Sequence, residues 1–191
     1  MRRWTAVVLF LIIGTTFSGC ATSQQAVVWP PLAKATTGTQ SELILNDEYF
    51  QVAHREIQNA KESIYLIAYL FLLYDYQEAY SNRLLEDIIG AHERGVDVHV
   101  ILEYPKPEYM EEEGPANQKV YEKLKAAGID VRFDKPERTT HSKVLIIDKE
   151  TIIAGSHNYS FSGLKYNNET SLLLKDSEKA ERLIGYFRQI Q

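Results

Sequence analysis

The chain has 191 residues, 45% apolar and 25% charged, the size and mix of one folded domain with its own core, which excludes disorder, collagen and a multi-domain array. Twenty-one Lys and Arg against 26 Asp and Glu give a net charge of −5. Without Arg2 and Arg3 the balance is 19 against 26, or −7, which excludes a protein that coats nucleic acid by bulk charge but leaves room for a local basic groove.

The N-terminus reads Arg2-Arg3, an apolar run from Trp4 to Ile13, then Ser18-Gly19 before Cys20, in the order of a secretory signal. The small pair ahead of the single cysteine resembles the bacterial lipoprotein signal, in which a peptidase cuts before the Cys and the thiol carries lipid. The run is too short for the ~20 apolar residues of a spanning helix. A lone cysteine also excludes an internal disulfide framework and a thiolate zinc cluster. The expected organisation is a signal peptide over 1–19, a lipid-anchored tether over 20–42 and a single folded domain over 43–191. Such a protein is an exported lipoprotein of the cell envelope, held on the periplasmic or extracellular face of a membrane through Cys20.

Asp47 is placed to cap a helix whose Phe50, Ala53, Ile57 and Ala60 recur at spacings of three and four. Ile64 to Leu73 is a dense apolar run, read as a buried strand. A second helix carries Leu84, Leu85, Ile88, Ile89 and His92 on one face and stops near Gly95; Val96 to Leu102 then alternates as a strand. After an acidic, proline-bearing loop from Glu103 to Gly114 come a helix with Val120, Tyr121 and Leu124, ending at Gly128, and a short strand, Ile129 to Phe133. Strands over His141 to Asp148, Thr151 to Ser156 and Thr170 to Leu174 precede a closing helix with Ala180, Leu183, Ile184 and Phe187. The pattern predicts an α/β fold, a mixed β-sheet sandwiched between helices on both faces.

The last third carries the chemistry. A hairpin centred on Lys149 and Glu150 makes facing residue numbers sum to 299, so that His141 faces Asn158 and Lys143 faces Ser156. A lysine ammonium, an amide and a hydroxyl beside the small Gly155 suit the non-bridging oxygens of a phosphate. His141 beside that anion is placed to act as nucleophile or general acid, with no metal or other cofactor required. Strand parity puts His141, Lys143, Leu145 and Ile147 on one face and Asp148 on the other, away from what His141 touches. His157 falls in a variable position and receives no role. Tyr159, Phe161 and Tyr166 are read chiefly as packing residues.

The pattern His141-x-Lys143-x4-Asp148-x6-Gly155-Ser156-x-Asn158 resembles the signature of the phospholipase D superfamily. The likeness extends from Leu43 to Arg188, through Ile64 to Phe71, Arg94-Gly95-Val96 and Asn168-Glu169. It implies a hydrolase of phosphoric diesters that works through a phosphohistidine. His141 is then the nucleophile, with Lys143 and Asn158 on the phosphate and Ser156 a supporting hydrogen bonder. Asp148 completes the signature, and Glu169 matches the acid that orients the imidazole in members with one signature per chain. In-line displacement needs a group on each side of phosphorus, and one histidine cannot serve both. The second is expected from a symmetry mate, in a homodimer joined through the active site.

For substrate, nucleic acid is favoured over phospholipid. Small exported members with one signature are endonucleases, which the resemblance carries over, and Val131 to Lys149 holds Arg132, Lys135, Arg138, Lys143 and Lys149 against three acids. Hydrolysis of phospholipid headgroups is the alternative, since a Cys20 anchor sets the site beside a membrane. A phosphate-binding module without turnover is the other.

Overall fold

The computed structural model describes residues 40–191 except 77, 106–109 and 112–113. The predicted signal peptide, Cys20 and most of the tether lie outside the described residues. In chain order the elements are β1 (Gln40–Leu45), α1 (Glu48–Asn59), β2 (Ser63–Ala68), α2 (Tyr80–Glu93), β3 (Asp97–Leu102), β4 (Met110–Glu111) and β5 (Gly114–Pro115). They continue with α3 (Gln118–Ala126), β6 (Asp130–Phe133), β7 (Lys143–Ile147), β8 (Thr151–Gly155), α4 (Phe161–Lys165), β9 (Thr170–Lys175) and α5 (Ser177–Gln189).

Seven of these strands form one mixed sheet in the order β1-β9-β8-β7-β2-β3-β6. Parallel β2, β3 and β6 are joined by helices, as parallel strands require, and β7, β8, β9 and β1 add on antiparallel. Alternation sends Ile64, Leu66, Leu145 and Ile147 into a large core with α1 to α4. Tyr65, Ile67, Val144 and Ile146 enter a smaller core under α5, through Ala180, Ile184 and Phe187. Helices therefore cover both faces, as the sequence pattern predicts.

Several boundaries differ from expectation. The first described element, β1, starts three residues ahead of Leu43; only Ile44 of that strand is buried, too weak a pattern to read. Asp47 occupies the N-cap position of α1 but its side chain caps nothing. β2 ends at Ala68, not Leu73, and Phe71 and Leu73 reach the core from a loop. Buried Asn117, in the left-handed region at φ 68°, organises that loop. Its side chain accepts from Phe71 N (2.6 Å) and donates to the carbonyls of Tyr69 (3.0 Å) and Glu103 (2.9 Å).

The hairpin register is off by one. Val144 faces Ala154 and Ile147 faces Thr151, so facing numbers sum to 298, not 299. The cause is a three-residue turn in which Asp148 and Lys149 take φ of 52° and 55°, a conformation residue identity does not announce outside Gly and Asn. Asp148 is held there by its contacts. Its carboxylate accepts from the backbone N–H of Lys61, Glu62 (2.7 Å) and Ser63 (3.1 Å), fastening the turn to the start of β2. The signature aspartate thus stands at the opposite end of β7 from Lys143, and its grouping with the catalytic residues is corrected to a structural role. Charge-assisted bonds of this kind contribute about 1.5–3 kcal/mol each where buried. The Asp148 bonds are mostly solvent-exposed, so Asp148→Ala is expected to lower the unfolding free energy by about 1–2 kcal/mol in urea titration, with kcat per folded molecule within about threefold of the parent.

Candidate active site

β2, β3 and β6 all end on the same edge of the sheet, where β7 begins and β8 stops. His141 and Asn158 lie just beyond the paired rungs of the hairpin, at that end of the sheet.

His141 is exposed, while Lys143 beside it is buried at 7% exposure. The Lys143 ammonium donates to His141 Nε2 at 3.3 Å and to the His141 carbonyl at 3.1 Å. An ammonium only donates, so Nε2 is the unprotonated nitrogen and its lone pair faces the lysine. Tyr69, which sequence reading passed over, backs the pair. Its ring lies 4.3 Å from the imidazole, edge-on, and 4.5 Å from Lys143 Nζ, a cation–π contact.

The carboxylate of Glu169 accepts from the Ser156 hydroxyl and from Asn167 Nδ2 at 3.1 Å. Among the described residues no hydrogen bond joins it to His141. In the single chain Glu169 organises Ser156 and supports the charge of Lys143. Ser156 Oγ also accepts from Thr170 N at 3.1 Å. Asn158 is partly buried, and its Oδ1 is buried without a hydrogen-bond partner among the described residues. A half turn of that amide exchanges the oxygen for two N–H donors. The close approach allowed by Gly155 is to β9, not to a ligand: a Cβ there would meet Ser171 Oγ at 2.2 Å and Thr170 O at 2.3 Å.

His157, given no role from sequence, is fully buried and stacks on Tyr49 at 4.5 Å. Its Nε2–H donates to the Asn46 carbonyl (2.8 Å), and Nδ1 meets Ser171 Oγ (2.7 Å). Asn46 in turn accepts from Glu169 N through its side chain (3.0 Å) and donates its own N–H to the Glu169 carbonyl (2.9 Å). The clamp on Glu169 thus runs through a residue 123 positions away in sequence, which no local spacing reveals.

Desolvation by the surrounding protein, and then the Lys143 charge, hold the His141 imidazole below its ordinary value near 6.5. Burial lowers Lys143 as well, opposed by Glu169. A lowered histidine stays neutral, and able to attack, to more acid pH. The acid limb of kcat/KM is accordingly expected below pH ~6.5, and Lys143→Gln should move the limb of its residual activity upward. A limb unmoved by Lys143→Gln contradicts the coupling. Among the described residues no group of three His, Cys, Asp or Glu is placed to hold a metal ion.

Fold and site together define an α/β domain with a histidine–lysine centre at the end of a mixed sheet. The family described as "Cardiolipin synthase, PLD-like domain" matches residues 54–191, and the chain belongs to this phospholipase D-like family. It is 35% identical over 128 residues to the "Phospholipase D" of Rickettsia prowazekii, covering 66% of this chain and 55% of that protein. It is 33% identical over 99 residues to the mouse "Mitochondrial cardiolipin hydrolase", covering 52% of this chain and 42% of that one. The chain thus spans about half the length of the curated relatives it matches. Among solved structures, the phospholipase D family member Nuc from Salmonella typhimurium superposes with a TM-score of 0.66 at 22% identity, over 80% of this chain and 93% of that one. That likeness is one of fold.

Proposed function

We propose that the chain is a phosphodiesterase that passes the scissile phosphate through His141, as a homodimer, with nucleic acid as substrate. The observation that carries this reading is the Lys143 ammonium 3.3 Å from His141 Nε2, a cation at the nitrogen lone pair that attacks. Nε2 attacks phosphorus, the P–O ester bond opens, and the leaving oxygen takes a proton from a second imidazolium on the far side. Water, losing its proton to that second imidazole, then breaks the P–N bond and restores His141. Lys143, Asn158 and Ser156 meet the charge on the non-bridging oxygens, so the phosphoryl group needs no metal for this step.

The second imidazole is that of a symmetry-related copy. A candidate surface for that copy lies on the face of the sheet that α5 covers in part. α5 leaves the β9 and β1 end of its sheet face open, and Leu43 (63%), Leu45 and Leu172 (44%) are exposed there. Ile152, Ala154, Leu172, Leu174, Leu183 and Tyr186 border a groove of about 700 Å³ on that face. Exposed apolar surface of this kind marks an interaction site.

Two observations support nucleic acid. Exposed Lys135 and Arg138 stand on the loop that leads into His141, and β1 enters the sheet at Gln40, paired with Lys175 at the end opposite the site. A Cys20 anchor preceding Gln40 would join the domain on the side away from His141. The names of the curated relatives favour the second reading, hydrolysis of phospholipid. Among the described residues no helix is long and apolar enough to cross a membrane. The test is hydrolysis of plasmid DNA against phosphatidylcholine and cardiolipin vesicles at equal enzyme and low salt, with His141→Ala as control. DNA nicking lost in the variant supports the proposal. Lipid release without nicking reverses the substrate, and tight phosphate binding without turnover leaves only a binding module.

A further inference from the structure

The five basic residues that sequence gathers between Val131 and Lys149 separate in space. Arg132 spends its guanidinium on the carbonyls of Phe187 (3.3 Å) and Ile190 (2.7 Å), tying α5 to the sheet. Lys149 sits in the turn at the far end of β7, and Lys143 belongs to the site. Lys135 and Arg138 remain. Both are exposed, on the loop that leads from β6 into His141, and both line a cleft of about 310 Å³.

Thr139 and Thr140 form one side of this cleft, and Tyr186 and Ile190 of the α5 end form the other. Glu137 is the one acidic side chain on its wall, and among the described residues no side-chain carboxylate pairs with Lys135 or Arg138. Lys135 Nζ donates instead to the side-chain oxygen of Gln191 at 2.8 Å. The loop is pinned at both ends: buried Asp134 accepts from Tyr104 N at 2.6 Å, and Thr140 N donates to buried Glu103. The two cations are thus presented by a fixed loop. Arg138 precedes His141 by three residues, a reach of at most ~10 Å along the chain.

We propose that this cleft is a second phosphate subsite, holding the phosphate one backbone link from the one at His141, so that the preferred substrate is a polynucleotide. The inference rests on the phosphodiesterase reading above and adds the requirement for a second phosphate. A guanidinium meets phosphate oxygens through two parallel bonds, an ammonium adds a point charge, and Tyr186 with Ile190 offers apolar surface to the linking sugar. A headgroup phospholipid with one phosphate leaves the cleft empty.

The experiment compares a thymidine dinucleotide, with one phosphodiester, and a trinucleotide, with two, in the parent and in Lys135→Ala/Arg138→Ala. The parent should prefer the trinucleotide in kcat/KM by about tenfold or more, the worth of one charge-assisted contact, and the double variant should lose that preference. Binding of a fluorescent single strand to His141→Asn, with and without the two cleft changes, reads the subsite independently of turnover. Affinity should fall about tenfold or more, and the log–log salt slope should drop by ~0.7. Unchanged affinity, or an equal loss on both substrates, overturns the subsite while the phosphodiesterase reading stands. Preference for cardiolipin over phosphatidylcholine that depends on Lys135 and Arg138, without oligonucleotide binding, overturns the polynucleotide and gives the second phosphate to a lipid. A parent that binds the strand through these residues but cleaves no phosphodiester contradicts the catalytic reading and keeps the subsite.

Discussion

His141→Ala is expected to reduce kcat on any phosphodiester by about 10³-fold or more, with far-UV circular dichroism and melting temperature close to the parent. The ring is exposed, and its hydrogen-bond partner is Lys143, so truncation leaves no cavity in either core. On the proposed mechanism it removes the nitrogen that would form the covalent bond, and in a homodimer it does so on both copies at once. Lys143→Ala and Asn158→Ala should each cost less, ~10²–10³, because each removes one contact to developing charge while the covalent route persists. Loss from Asp148→Ala equal to that from Lys143→Ala, at unchanged folding, contradicts the assignment of Asp148 to the turn.

Leu43→Asp/Leu172→Asp is expected to convert a dimer into an inactive monomer. Leu43 pairs with Leu172 across β1 and β9, and both are exposed on the open side of the sheet, so two carboxylates there disturb neither core. Burying them against the same patch of a second copy would set like charges face to face in a desolvated interface, a cost of several kcal/mol. Sedimentation should show half the parent mass. Activity should fall by at least about 10²-fold, because the leaving group loses its acid on the far side of phosphorus. A monomeric parent with full turnover at micromolar concentration contradicts the two-histidine account.

The site was legible in sequence because its residues sit on or just past strands whose alternation is clear, at a spacing that a hairpin brings together. Its fine geometry was not. Two non-glycine residues in the left-handed region, Asp148 and Lys149, shift the register by one, and the turn is held through Asp148 by contacts to Lys61, Glu62 and Ser63 more than eighty positions earlier. Glu169 was found by its position in the family pattern, yet its partners, Ser156, Asn167 and Asn46, follow from how β9 lies between β8 and β1. β1 was missed because its outward leucines lie on an open sheet face and imitate no buried pattern. His157 and Tyr69 earn their places only through tertiary packing, on Tyr49 in one case and His141 in the other.

The central claim is that phosphate passes through His141, and single-turnover trapping tests it most directly. Excess parent enzyme is mixed with a phosphate-labelled phosphodiester, quenched in alkali within the first turnover, digested and mapped by mass spectrometry. The account predicts labelled phosphate on the peptide containing His141, stable in alkali, released by acid, and absent from His141→Asn. Full turnover with no protein-bound phosphate at any quench time, or label on another residue, contradicts it.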